Sequence, residues 1–152
     1  MGLKSRSNAD FYFSSGFNVG YRWHQYLSLL GNYLYKHIIY TDTYTQLANC
    51  PVNISWGGLV YYPATKKIYL LGGAPNLSGK VGSNGVYAYD ISSNSWSNSL
   101  AVAPYSVYGH TRENTLYGDK IIMGYGQGLS SNFHSEIYYL IFQLIHGHID
   151  LL

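Results

Sequence analysis

The sequence predicts an all-β protein assembled from about three copies of one antiparallel meander. Three observations carry that prediction. Gly20, Gly72 and Gly124 stand 52 residues apart, Tyr35, Tyr87 and Tyr139 keep the same interval, and Tyr44 and Trp96 share one aromatic position. A period of roughly 40 to 50 residues with strand-like content marks propellers and arrays. Tyr supplies 18 and Gly 17 of the 152 residues, a mixture suited to pleated strands joined by tight turns, while the strong helix formers are sparse. Hydrophobic residues make up 47% and charged ones 11%, so the chain can bury a core and does not have the composition of a disordered polymer.

The middle copy, residues 52–104, reads most clearly. Gly57 to Tyr62 is a short apolar strand, stopped by Pro63-Ala64-Thr65-Lys66-Lys67, where proline and polar residues favour a turn. Ile68 to Leu71 reads as a buried strand ending at Gly72-Gly73. Ala74 to Gly85 is rich in Gly, Ser, Asn and Pro, the composition of an exposed connection. Val86 to Tyr89 is the third strand, Asp90 to Asn94 a turn, and Ser95-Trp96-Ser97 the fourth. Four strands joined this way form an antiparallel meander, the unit of a propeller blade.

The flanking copies are expected to be partial. In residues 11–51 the pattern gives a second strand ending at Gly20, a third near Leu34-Tyr35 and a fourth at Tyr44, behind a disordered segment, 1–10. In residues 105–152, Tyr117-Gly118-Asp119-Lys120 is a turn, Ile121 to Gly124 the second strand and Ile137 to Leu140 the third, but His148 stands where Trp96 predicts an aromatic. Leu47 to Pro51 and Leu100 to Pro104 lead from one copy to the next.

With Gly72-Gly73 after a buried strand, Tyr89 sixteen residues beyond Gly73 and Trp96 seven beyond Tyr89, the middle copy resembles a kelch repeat. In the other copies Gly20-Tyr21 and Gly124-Tyr125 replace the double glycine. The resemblance implies β-propeller blades, with these glycines, Tyr35, Tyr44, Tyr87, Tyr89, Tyr139 and Trp96 as structural blade residues. Physics agrees with such roles: glycine past a buried strand permits positive φ and close backbone approach, and large aromatics fill the space between sheets. Rings close with roughly 4 to 8 blades. The expectation is therefore a part of a larger propeller, completed by further blades or by self-association.

Signals for chemistry are weak. His146-Gly147-His148 offers two alternate ligands where a zinc site needs three or four, and His110 and His134 lie at unknown distance. Scattered acids (Asp10, Asp42, Asp90, Glu113, Asp119, Glu136, Asp150) form no spaced pair for acid and base work. Some kelch-bearing proteins are copper radical oxidases, but no residue here matches that site, and Ser92 to Trp96 lacks the Asp and Gly of a sialidase turn. No metal or cofactor is expected.

Nine basic and seven acidic residues are spread along the chain without the Lys/Arg stripe that nucleic acid requires. The most apolar stretch, Ile137 to Ile145, is about half the ~20 residues of a membrane-spanning helix. Cys50 is the single cysteine and cannot form an intrachain disulfide. No secretory signal precedes Asp10, whereas the acceptor triplets Asn53-Ile54-Ser55 and Asn76-Leu77-Ser78 and the low lysine content point toward a secreted or cell-surface setting. The expected function is a non-enzymatic module that binds a protein or glycan through its long loops, at Asn76, Asn84, Gln127 and Asn132. The alternative is part of a propeller enzyme, an oxidoreductase, hydrolase or sugar isomerase, whose active site other blades complete.

Overall fold

The computed structural model describes residues 18–22, 25–75, 83–98, 100–107, 115–117, 120–127, 133–142 and 149–151. The expected disordered segment 1–10 and the candidate loop residues Asn76 and Asn132 lie outside them. All described regular structure is β. The first sheet holds β1 (Asn18–Arg22), β2 (Gln25–Leu30), β3 (Tyr33–Ile38) and β4 (Thr43–Gln46). The second holds β5 (Gly58–Tyr62), β6 (Lys67–Leu71), β7 (Ser83–Asp90) and β8 (Ser95–Trp96), with β9 (Ala101–Val107) pairing the far end of β7. The third holds β10 (Thr115–Tyr117), β11 (Lys120–Gln127), β12 (Phe133–Phe142) and β13 (Ile149–Leu151). Each is an antiparallel meander in chain order, the expected blade unit.

The middle sheet follows its sequence cues closely. Pro63 to Lys66 turns β5 into β6, with Lys66 N–H donating to Pro63 O at 3.2 Å. Gly72 and Gly73 leave β6 at φ +59° and +96°, a region in which a side chain is strained. A Cβ on Gly73 would collide with Ile54 Cγ2 and lie 2.9 Å from the Gly57 backbone, so that glycine is needed for space as well as for conformation. Asp90 Oδ1 accepts from the Ser92 and Ser93 N–H groups at 2.9 and 3.2 Å, capping the turn that returns as β8.

One expectation for the outer copies is corrected. Gly20 lies in β1, opposite Tyr26, and does not end a second strand; β2 is that strand, and the glycine beyond it is Gly31, at φ +64°. The cause is loop length. Only Gly31 and Asn32 separate β2 from β3, whereas residues 72–82 separate β6 from β7, so the 52-residue interval holds for strands three and four and fails for one and two. The first sheet therefore has four strands where the repeat pattern provides three. In the third sheet the interval holds in register: Ile122 pairs with Tyr139 and Lys120 with Ile141, as Leu70 pairs with Tyr87 and Ile68 with Tyr89.

The core lies between sheets. Leu27, Leu29 and Leu34 of the first sheet meet Leu59, Ile68, Leu70 and Tyr89 of the second, with Cys50 and Ile54 of the connecting segment between them. Burying each such aliphatic side chain contributes about 1.5–3 kcal/mol. The second sheet is buried on its other side too, through Val60, Tyr62, Tyr69, Leu71, Val86 and Ala88. There β10 runs beside β5, and Ile121 of β11 is also fully buried. The first strands β1, β5 and β10 are neighbours, as the innermost strands of adjacent blades are.

Candidate functional site: the connector rim

Antiparallel meanders send the loop between strands two and three, and the connector to the next sheet, to the same end. Here they are stitched together. Cys50 N–H donates to Asn32 O at 2.7 Å and Ile54 N–H to Gly31 O at 3.2 Å, tying the connector to the first sheet. Ser55 and Ala74 then exchange two backbone hydrogen bonds of 2.8 and 2.6 Å, tying it to the second. Ser83 N–H closes the base of the long loop on Gly73 O at 2.6 Å.

Trp56 stands at the centre of this rim. Its φ is +57°, an outlier for a bulky residue, and it is 47% exposed. The strain follows from its neighbours: Ser55 is fixed to Ala74, and Gly57 must pass against Gly73, so the turn between them falls on Trp56. Asn53, exposed, and Ser55, half-buried, flank it with polar groups. An exposed ring on a tightly hydrogen-bonded backbone loses little freedom on meeting a ligand.

Of the residues expected in binding loops, Asn84 is half-buried at the start of β7 and Gln127 ends β11. Both strand ends adjoin the loops between strands two and three. Sequence reasoning missed Trp56, although a Trp ahead of Gly57-Gly58 and behind an Asn-Ile-Ser triplet was a signal of an exposed corner.

The structural residues fall into two groups. Tyr89 is buried, packs against Trp96 with ring centroids 5.3 Å apart, and donates its hydroxyl to Asn94 Oδ1 at 2.8 Å. Tyr87 and Trp96 are partly buried against the same core, and Tyr35 is half-buried on the first sheet. Tyr44, at Trp96's place in the repeat, is 65% exposed and stacks on His37 instead of filling a core. Tyr139 lies in β12 opposite Ile122.

Among the described residues no group of three His, Cys, Asp or Glu side chains could hold a metal ion, and no helix is long and apolar enough to cross a membrane. His110, His146 and His148 lie outside the described residues. Burial pushes the Cys50 thiol up to about 11, against a smaller opposing effect of a hydrogen bond at the Val52 backbone. At neutral pH it is a protonated core group.

No protein-family profile matches this chain, and no curated protein matches it in sequence. Solved structures do match. That of YjhT aligns with a TM-score of 0.64 over 90% of this chain and 41% of its own, at 7% sequence identity. The chain thus spans less than half the length of YjhT, and at that identity the likeness speaks of fold alone. Sheet topology and structural likeness together describe a propeller-like fold.

Proposed function

We propose that this chain is a kelch-like propeller module that binds a protein or glycan at the connector rim, without catalysing a reaction on it. The observation that carries the reading is Trp56: exposed, held at positive φ, and placed where two loop systems meet. Backbone strain on a bulky residue is costly, on the order of 1–3 kcal/mol, and clusters at recognition sites. The double glycine at positive φ and the packed Tyr89–Trp96 pair support kelch-like blades.

The rim suits a ligand with an apolar ring or sugar face and hydroxyl or amide edges. Trp56 supplies a flat apolar surface, and Asn53 and Ser55 supply donors and acceptors. The test is a titration of the full chain with panels of oligosaccharides and of extended peptides, followed by tryptophan fluorescence and by backbone NMR of residues 53–57. A ligand that shifts these signals in the parent and is lost in Trp56→Ala supports the reading. A ligand whose affinity is indifferent to Trp56→Ala places binding elsewhere and overturns it.

A further inference from the structure

The joint between the first two sheets is a two-point clamp on one residue. Ala48 of the connector donates its N–H to Asn94 Oδ1 at 2.9 Å and accepts from Trp96 Nε1–H at 2.9 Å. Asn94 is aimed by Tyr89, whose ring lies against Trp96. Both backbone groups of Ala48 are thereby satisfied by the sheet that follows.

The same device recurs 52 residues earlier, on the outward side of the first sheet. His37, Asp42 and Tyr44 stand where Tyr89, Asn94 and Trp96 stand. His37 Nε2 donates to Asp42 Oδ1 at 2.9 Å, as Tyr89 does to Asn94. The His37 and Tyr44 rings are stacked, 4.1 Å apart and 1° from parallel. Asp42 takes φ +47° and Asn94 +50° in matching four-residue turns. Aiming residue, acceptor and ring donor are all present, yet the Asp42 side chain is 84% exposed and Tyr44 65%. Leu30 and Tyr33, cross-strand partners, are exposed on the same face.

We infer that His37, Asp42 and Tyr44 form a clamp for the connector of another propeller blade: an extended, apolar segment with a small residue at the gripped position, held by N–H to Asp42 and C=O from the Tyr44 hydroxyl. The occupant is the connector of a further blade, because both described connectors are engaged. Ala48 is gripped by Trp96 and Asn94, and β9 pairs with β7 and runs beside β13. The clamp rests on the blade architecture and owes nothing to the rim's ligand, so the two readings fail separately. An acid in the place of Asn94 makes this grip charge-assisted, a stronger hydrogen bond than its twin's.

The probe is a synthetic peptide of the connector sequence, Gln46 to Asn53, added to the full chain and followed by the NMR signals of His37 and Tyr44. Binding is expected to move these signals, to weaken about tenfold in Tyr44→Phe and in Asp42→Ala, each of which removes one hydrogen bond, and to strengthen in Tyr44→Trp, which installs the donor of the working joint. Both substituted positions, Asp42 and Tyr44, are exposed, so the variants are expected to fold, and unchanged amide shifts in β6 check this. Peptide that leaves His37 and Tyr44 unmoved, or binds equally to all variants, overturns the clamp. So does sedimentation showing a dimer of the chain that Tyr44→Ala dissolves, since a second copy would then be the occupant.

Discussion

The hairpins β3–β4 and β7–β8 share turn length, positive φ at the last turn residue, and a side-chain hydrogen bond across the turn, yet in one Tyr89 is buried with Trp96 packed on the core, and in the other Tyr44 is exposed. The difference teaches that the 52-residue pattern specifies a local shape, and that burial is added by whatever sheet or connector lies against it. Tyr89 is a core residue and Trp96 is partly buried against it because Leu27, Leu29 and Leu34 and the Ala48 segment lie on that side. Their counterparts His37 and Tyr44 have no such neighbours among the described residues, and their more polar chemistry fits a surface.

That contrast can be broken first at the aromatic position. Trp96→Ala should lower the unfolding free energy by about 3 kcal/mol, the low end for a large aromatic because the residue is only partly buried, whereas Tyr44→Ala should stay within ~0.5 kcal/mol. Urea unfolding of both variants decides it, and equal losses would show that the two hairpins are not distinguished by their surroundings. A smaller effect is expected at the glycines after the second strands. Gly73→Ala meets Ile54 and the Gly57 backbone and should cost about 2 kcal/mol, while Gly31→Ala meets the Asn53 side chain, which can turn away, and should cost about 1.

The smallest effect is electrostatic. The Ser92 hydroxyl first, and then the Ser92 and Ser93 N–H groups, hold the Asp90 carboxyl below its ordinary value of 3.8. A folded-state value below the unfolded one gives stability that is present above pH 4 and is lost as pH falls through the folded value. The stability difference between the parent and Asp90→Asn should therefore shrink below about pH 4. A difference constant down to pH 2 would mean that the turn does not need the charge.

How much was legible in the sequence follows the same division. The middle sheet could be read almost residue by residue, because Pro63, Gly72-Gly73 and Asp90 to Asn94 mark its turns with residues that each have a local physical reason. Position β1 and β2 could not be read from the repeat, since a two-residue loop stands where the second copy has eleven residues and Gly20 falls on the interval by coincidence. The third-sheet register was legible from the interval, since Tyr139 pairs with Ile122 as Tyr87, 52 residues earlier, pairs with Leu70. The clamp was half legible. Asp42 and Asn94, and His37 and Tyr89, keep the 52-residue interval, but their joint role depends on knowing that Ala48 comes to lie beneath Trp96.

The eleven residues between β6 and β7, against two between β2 and β3, have a consequence for how such a protein can change. Extending a loop from two residues to eleven costs only about 1.5 kcal/mol of closure entropy, and β7 and β8 keep the same hairpin geometry as β3 and β4 regardless. Each sheet can thus carry a connection of its own length at this edge without altering how it packs on its neighbours. Loop length at this edge can change one sheet at a time, while the joints that hold the sheets together stay as they are.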